Sequence, residues 1–262
     1  MNRIEKKFKE LRKVGRKAFI AFITAGYPNL AVTKKLLLEF DKRGVDIVEL
    51  GVPFSDPLAD GPVIQEASQW ALSKGTHLVG ILNLVKDARK LTNMPICLMT
   101  YYNPVFCFGE NKFVDKALSS GVDGVIIPDL PPEENPGFMK YAKSCGLDVI
   151  CFLSPTSSSE RIRFIPKVSR GFIYYVSLTG VTGARKNLPL DLIDKIKTIK
   201  KYTDKPVCVG FGVSNAAQVK QISTIADGVI VGSAIVKKLK QNLGKADLVK
   251  RVSDFVSYLK NV

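Results

Sequence analysis

The sequence is short of histidine and has no long apolar run. Its single histidine, His77, argues against a Ser-His-Asp or Cys-His catalytic machine, and no group of His, Cys, Asp and Glu has the spacing of metal ligands. No apolar stretch approaches the roughly 18 residues that span a bilayer. No signal-peptide core follows the basic residues 1–17. We therefore expect no metal site, no membrane contact and a cytoplasmic location.

Acidic residues are few relative to basic ones. The chain has 39 Lys and Arg against 24 Asp and Glu, which gives a net charge of +15. Such a charge is compatible with nucleic acid, anionic lipid or phosphorylated metabolites. The basic residues are spread over predicted helix faces, however, and no nucleic-acid motif accompanies them. We interpret the excess as solvated helix surface that helps to attract an anionic substrate, and we expect no nucleic-acid partner.

The cysteines lack any pairing pattern. There are five, an odd number, and no two of them form a C-x-x-C motif. Most lie in apolar stretches. We expect reduced, buried, structural thiols, as is usual in the cytosol.

Apolar runs alternate with amphipathic segments along the whole chain. Hydrophobic residues make up 46% of the sequence, enough for a sizeable core in one or two domains. Eight nearly continuous apolar runs predict parallel strands buried on both faces, at 18–24, 45–50, 96–100, 124–127, 148–152, 172–176, 207–210 and 228–231. Helical patterns lie between them, at 32–43, 112–120, 134–144, 159–168, 189–201, 214–222 and 248–259.

A short sequence pattern recurs before several of these strands. In each copy a glycine ends a helix, two residues form a turn, and a strand follows. The copies are G-V-D-I-V-E-L at 44, G-V-D-G-V-I-I at 121 and G-L-D-V-I-C-F at 146, and A-D-G-V-I-V-G at 226 is related. Repeated strand–helix units predict an α/β fold, a single (β/α)8 TIM barrel with extra short helices over residues 1–262. The alternative is an open doubly wound sheet, but the first strand is followed by T-A-G-Y-P-N rather than G-x-G-x-x-G.

The loop after the second strand carries an acidic cluster. Glu49 lies within an apolar run near the carboxyl end of the predicted strand, where a carboxylate costs free energy unless it is used or paired. Asp56 and Asp60 follow in the segment 49–61, which two prolines stiffen. These carboxylates either cap the next helix and pair with lysine or perform acid–base chemistry, for which two differently buried carboxylates are suited.

Glycines follow the last strands. Gly210 and Gly212 precede a helix that Ser214 is expected to cap, and Gly232 and Ser233 open another. These turns are either ordinary tight turns or a phosphate site, which recurs after strands seven and eight of such barrels. The glycine-bearing loop 177–185 is either a mobile lid or an ordinary flexible loop. Tyr174 and Tyr175 alternate, so one of them should face the barrel interior.

These motifs together resemble the tryptophan synthase alpha subunits. The resemblance rests on segment 49–61 and on T-A-G-Y-P, Y-Y-N-P, P-D-L-P, L-T-G-V-T-G and V-G-F-G-V-S in this order, and it covers nearly the whole chain. It implies a lyase that cleaves indole-3-glycerol phosphate by a retro-aldol reaction into indole and glyceraldehyde 3-phosphate. It also implies that this subunit needs no cofactor.

The resemblance further implies roles for individual residues. Glu49 matches the general acid/base, Asp60 the carboxylate that binds the indole N–H, and Tyr174 the tyrosine beside Glu49. Thr182 matches the lid residue that bonds Asp60 on closure. Positions that match the indole pocket are Phe22, Ile64, Met99, Tyr101, Ile126 and Phe211. Positions that match the phosphate site are Gly183, Gly212, Gly232 and Ser233.

The resemblance also implies a protein partner. Segments 54–60 and 101–108 match surfaces that face a beta subunit, a pyridoxal-phosphate enzyme that receives indole in an alpha2-beta2 assembly. Tyr102 departs from the family pattern within the second segment.

Three other hypotheses stay open at this point. The phosphate glycines also fit an isomerase acting on a phosphorylated intermediate of tryptophan or histidine synthesis. A protein that chiefly activates a partner and a basic nucleic-acid binder are the others.

Overall fold

The computed structural model describes residues 2–176, 190–210 and 212–261. Within these ranges it contains the strands β1 Ala18–Thr24, β2 Ile47–Gly51, β3 Ile96–Met99, β4 Gly124–Ile126, β5 Asp148–Leu153, β6 Ile173–Val176, β7 Val207–Gly210 and β8 Gly228–Val231. The helices are α1 Arg3–Lys13, α2 Leu30–Lys42, α3 Pro62–Ser73, α4 Leu78–Ala88, α5 Tyr102–Phe108, α6 Glu110–Ser120, α7 Pro136–Cys145, α8 Ser159–Val168, α9 Leu190–Lys200, α10 Ala216–Ser223, α11 Ser233–Lys240 and α12 Leu248–Lys260.

The eight strands form a closed parallel barrel. Each strand pairs with the next along the chain, and β8 pairs with β1. The predicted (β/α)8 barrel with extra helices is therefore confirmed, and the open doubly wound sheet is excluded. Because all strands run the same way, their carboxyl ends meet at one mouth of the barrel, where the sites of such barrels lie.

The recurring aspartate of the sequence repeats joins neighbouring strands at the opposite end of the barrel. In three of the four repeats its carboxylate accepts a hydrogen bond from a backbone N–H at the start of the adjacent strand, with distances of 2.9, 2.9 and 3.0 Å for Asp46–Phe19, Asp123–Ile96 and Asp227–Val207. In the fourth, Asp148 pairs with Arg170 at 3.0 Å instead. The repeated aspartates therefore link neighbouring strands at the amino-terminal end of the barrel. They do not contribute to the mouth, where the carboxyl ends of the strands meet.

Several predicted boundaries shift by one or two residues, and local hydrogen bonds account for two of these shifts. β2 begins at Ile47 rather than at 45, since the Val45 N–H still bonds to Phe40 O at the end of α2. Helix α10 is capped by Asn215 rather than Ser214, because the Asn215 side chain accepts the Gln218 N–H at 3.0 Å.

The prediction of five buried thiols was partly wrong. Cys97, Cys151 and Cys208 are buried in strands, and all five cysteines are free. Cys107 and Cys145 are exposed, because they lie on the outer faces of α5 and α7. Over the described residues, no helix combines the length and apolar character needed to cross a bilayer.

Four side chains from different strands identify the inward-facing positions. Burial raises the pKa of Cys97, Cys208 and Tyr174, and the Glu49 carboxylate raises each of them further. Cys97 pairs in register with Glu49, and Cys208 pairs with Tyr174, so the members of each pair point to the same side of the sheet. Since β2 and β6 lie across the closed barrel from each other, the influence of Glu49 on Tyr174 indicates that these side chains face the interior. Since Phe22 lies opposite Glu49 in the β1–β2 register, Phe22 faces inward too.

Candidate active site

Glu49 lies at the centre of the site. It is fully buried, with 0% of its surface exposed. Neither carboxylate oxygen has a hydrogen-bond partner among the described residues. Desolvation therefore favours the neutral form and raises the pKa of Glu49 to about 8. At neutral pH this side chain is a carboxylic acid that can give up a proton.

Asp60 lies nearby in the loop between β2 and α3. It is half-buried, and desolvation raises its pKa to about 6, although a hydrogen bond from Tyr101 lowers it. The Tyr101 hydroxyl donates to Asp60 Oδ2 at 3.1 Å and accepts the Ala59 N–H at 2.9 Å. At neutral pH Asp60 is therefore mainly ionised while Glu49 is protonated, so the two carboxyl groups hold different charge states.

Tyr101→Phe is expected to raise the pKa of Asp60 further, by about 0.5 to 1, because the carboxylate loses a donor that favours its charged form. The titration of the Asp60 carboxyl carbon by NMR measures this. Tyr102→Phe is the matched control, since the Tyr102 hydroxyl bonds to Glu110 and not to Asp60. An unchanged Asp60 titration in Tyr101→Phe contradicts the role of this hydrogen bond.

Tyr174 reaches the interior because its neighbour on β7 is a glycine. A Cβ on Gly210 would lie 2.5 Å from the Tyr174 hydroxyl and 2.9 Å from Cζ. The Tyr174 ring also packs on Phe152, with centroids 4.8 Å apart. Tyr175 points the other way, as the predicted alternation requires. Tyr174 therefore lines the interior from β6, which lies across the barrel from Glu49 on β2.

Phe22 is accommodated in the same manner on β1, the strand next to Glu49. A Cβ on Gly51 would lie 2.6 Å from Phe22 Cζ, and one on Gly232 would lie 3.2 Å from Cδ1. The Phe22 ring thus fills space that these two glycines leave free. The aromatic rings of Phe22 and Tyr174 border the buried Glu49.

The predicted apolar pocket residues converge on the same mouth. Phe22, Met99, Tyr101 and Ile126 are buried, and Ile64 is half-buried in the first turn of α3. Met99 pairs in register with both Gly51 and Ile126, and the rings of Tyr101 and Phe54 lie 5.3 Å apart. These apolar side chains therefore lie at the mouth of the barrel beside Asp60, to which Tyr101 donates its hydrogen bond. Phe211 lies outside the described residues.

The predicted phosphate-binding residues lie at the ends of β7 and β8. Gly212 has a φ of +78°, which a residue with a side chain adopts only with strain. Gly232 and Ser233 begin α11, whose first N–H groups have no partner within the helix and attract anions. Gly183 and the lid residue Thr182 fall outside the described residues.

Sequence reasoning missed the contacts that hold the loop after β3. The Asp129 carboxylate accepts the Tyr102 N–H at 2.8 Å and so caps α5. The Tyr102 hydroxyl donates to Glu110, and Asn135 donates to Tyr102 at 3.0 Å. The motif P-D-L-P after the fourth strand did place Asp129 at a strand end. The pairing with Tyr102 depends on which loops the barrel brings together.

No group of three or more His, Cys, Asp or Glu side chains in the described ranges could hold a metal ion. The residues that converge at the mouth are carboxyl, hydroxyl and apolar groups. Their arrangement suits proton transfer to and from a substrate that has an apolar part and an anionic group.

Comparisons with known proteins agree on one family. A family profile described as "Tryptophan synthase alpha chain" matches residues 8–262. The chain is 50% identical over 260 residues to the tryptophan synthase alpha chain of Geotalea daltonii, covering 99% of this chain and 98% of that protein.

Solved structures agree with the sequence comparison. Tryptophan synthase subunit alpha from Legionella pneumophila superposes with a TM-score of 0.92 at 36% identity, covering 100% of this chain and 98% of that one. A chain of the tryptophan synthase complex from Pyrococcus furiosus gives a TM-score of 0.85 at 34% identity, covering 94% of this chain and 98% of that one.

Proposed function

The chain belongs to the tryptophan synthase alpha chain family, and we propose that Glu49 and Asp60 carry out its reaction at the barrel mouth. The reaction is the retro-aldol cleavage of indole-3-glycerol phosphate to indole and glyceraldehyde 3-phosphate, and the indole passes to a beta subunit. One observation carries the assignment of residues. Glu49 is a buried carboxyl group with a pKa of about 8 and no partner among the described residues.

Glu49 acts first as an acid and then as a base. As an acid it protonates C3 of the indole, which converts the ring to a cationic indolenine. The resulting Glu49 carboxylate then takes the proton of the hydroxyl on the adjacent glycerol carbon. The O–H electrons form the aldehyde C=O, and the electrons of the breaking C–C bond return to the ring. Glu49 is protonated again at the end, so the cycle balances.

Asp60 stabilises the positive charge that this protonation creates. Its pKa of about 6 keeps it ionised at neutral pH, and the charge develops on the indole nitrogen. A carboxylate in a half-buried position interacts more strongly with that charge than one in water. Thr182 of the lid is proposed to bond Asp60 on closure, as the resemblance implies. Tyr174 is proposed to position the reacting hydroxyl beside Glu49.

The remaining site residues hold the two ends of the substrate. We assign the phosphate to the backbone of Gly183, Gly212, Gly232 and Ser233, and the indole to the pocket of Phe22, Ile64, Met99, Tyr101, Ile126 and Phe211. The α11 N-terminus and the positive φ of Gly212 support the first assignment. The burial of the described pocket side chains supports the second.

The reaction requires no cofactor in this subunit under our proposal. The indole ring itself accepts the electron pair of the breaking bond once C3 is protonated, so an acid/base and a carboxylate are sufficient. In this family pyridoxal phosphate belongs to the beta partner.

The assay of indole release from indole-3-glycerol phosphate, with and without a beta subunit, tests the function directly. The wild-type chain is expected to release indole alone and to do so faster with the partner. Absence of indole in both conditions would overturn the proposal.

The mouth also carries an exposed apolar surface, which we propose as the contact with the beta subunit in an alpha2-beta2 assembly. Leu58 is 94% exposed and Phe106 is 64% exposed. They lie in segments 54–60 and 101–108, which flank the Asp60–Tyr101 hydrogen bond. A partner that covers these side chains would lie directly over the site from which indole leaves.

Leu58→Asp is expected to weaken binding of the beta subunit by about 10-fold or more, because a charge replaces an apolar contact at the interface. Sedimentation of the mixed subunits measures this. Leu91→Asp is the control, since Leu91 is also strongly exposed (68%) but precedes β3 at the amino-terminal end of the barrel. Equal affinity of both variants for the partner argues against this surface.

We further propose that residues 1–262 form one domain and work in the cytoplasm without nucleic acid or membrane. The closed barrel that uses strands from Ala18 to Val231 supports a single domain. The five free thiols support a reducing compartment.

A further inference from the structure

Thr24, the last residue of β1, has a buried hydroxyl that the mechanism above does not use. Its side chain is 1% exposed. Its Oγ1 has no hydrogen-bond partner among the described residues. A buried hydroxyl without a partner destabilises a fold, and such groups usually mark the place of a ligand or a water.

The strand register places this hydroxyl at the mouth. Phe22 lies opposite Glu49, and Thr24 lies opposite Gly51, two residues closer to the carboxyl ends. Side chains two residues apart in a strand point to the same side. Thr24 therefore faces the interior one layer above Phe22 and Glu49.

The strand on the other side of β1 leads to the predicted phosphate site. Ala21 on β1 is paired with Val231, the last residue of β8. The next residues of the two chains, Phe22 and Gly232, therefore lie side by side, and Ser233 follows Gly232. Helix α11, which Ser233 begins, packs against β1. Thr24 thus lies between the carboxyl group of Glu49 on β2 and the N-terminus of α11.

The proposed substrate, indole-3-glycerol phosphate, has a hydroxyl group that can lie beside Thr24. Its glycerol chain joins the reacting carbon, which Glu49 must reach, to the phosphate at α11. Of its two hydroxyl groups, the one on the reacting carbon gives its proton to Glu49. The other, on the middle carbon, has no partner in the mechanism.

We propose that the Thr24 hydroxyl hydrogen-bonds the middle hydroxyl of the glycerol phosphate chain and so selects substrates that carry it. The inference rests on the proposed function, because it takes the substrate to bind between Glu49 and α11. Thr24 is a substrate-binding residue in this scheme, and it takes no part in proton transfer.

Calorimetric titration with two small phosphates tests the proposal without turnover. Glycerol 3-phosphate carries the middle hydroxyl, and 3-hydroxypropyl phosphate lacks only that group. The wild-type protein is expected to bind the first about 10-fold more tightly, as for one hydrogen bond to a buried partner. In Thr24→Val the ratio should fall to about 1, and Thr24→Ser, which keeps a hydroxyl, should restore most of it.

Thermal unfolding separates this role from a structural one. Thr24→Val is nearly isosteric and removes an unpartnered buried hydroxyl, so its melting temperature should be equal to or above that of the wild type. Its kcat/KM for indole-3-glycerol phosphate should fall about 10-fold, mainly through KM, with an unchanged pH profile.

Two outcomes would overturn the proposal. One is a wild-type affinity ratio retained in Thr24→Val, and the other is an equal loss of affinity for both phosphates. Failure of the proposed function is a different result, namely no indole release by the wild-type chain.

Discussion

Glu49→Gln is expected to reduce indole release by about 10³-fold or more and to stabilise the fold at the same time. Activity falls because the amide can neither protonate the indole ring nor accept the hydroxyl proton, and general acid–base groups contribute about 10²- to 10⁴-fold each. Stability rises because the wild-type fold must keep the buried Glu49 protonated above its ordinary pKa of 4.5, whereas the amide carries no such cost.

The stabilisation has a defined dependence on pH. The unfolded chain loses the Glu49 proton near pH 4.5, whereas the folded chain keeps it up to about pH 8. Between these values the folded state binds one proton more, so the free energy of unfolding of the wild type falls by about 1.4 kcal/mol per pH unit from this group. Above pH 8 the loss is complete, at up to about 5 kcal/mol. Glu49→Gln does not titrate and keeps this free energy.

Urea unfolding at pH 5, 7 and 9 measures the effect. The difference in the free energy of unfolding between Glu49→Gln and the wild type should be small at pH 5 and grow towards pH 9. Glu10→Gln is the control, because Glu10 is exposed on α1 and its ion pair with Lys7 is long, at 3.9 Å. A constant difference across this pH range, or near-normal indole release, would show that Glu49 does not have the assigned role.

The position of Glu49 could be predicted because its signal is local. A carboxylate inside an apolar run conflicts with burial whatever the fold, and the order of strands and helices then places that run in a barrel. The same local reasoning found the glycines at 210, 212 and 232 and the alternation of Tyr174 and Tyr175. The closed barrel confirmed the assumption that strand ends meet at one mouth.

Other parts of the site could not be predicted, because they depend on contacts between distant loops. The hydrogen bond from Tyr101 to Asp60 joins residues 41 positions apart. Thr24 appears in the sequence as an ordinary strand residue, and only its burial without a partner sets it apart. Likewise, the exposure of Cys107 and Cys145 depends on which face of a helix meets the barrel. Sequence periodicity describes each element well, whereas the pairing of loops is a property of the closed fold.

Asp60→Asn is expected to lower kcat/KM for indole-3-glycerol phosphate by about 10²- to 10³-fold, because the amide has no charge to stabilise the cationic indole ring. The change should also alter the pH profile. With the wild type, activity requires ionised Asp60, above about pH 6, and protonated Glu49, below about pH 8, so kcat/KM should be bell-shaped with its maximum between these values. In Asp60→Asn only the basic limb should remain.

The exposed neighbour Asp56 provides the control for this prediction. Its carboxylate accepts a hydrogen bond from Ser55 at 2.5 Å and lies in the same loop as Asp60. Asp56→Asn should therefore keep both limbs of the profile and most of the activity. If Asp60→Asn retained the acidic limb near pH 6, a different group would have to be ionised for catalysis, and the charge on the indole nitrogen would need another partner. Because Glu49 and Asp60 titrate on opposite sides of neutrality, loss of one limb by each variant is the result that ties the two carboxyl groups to one reaction.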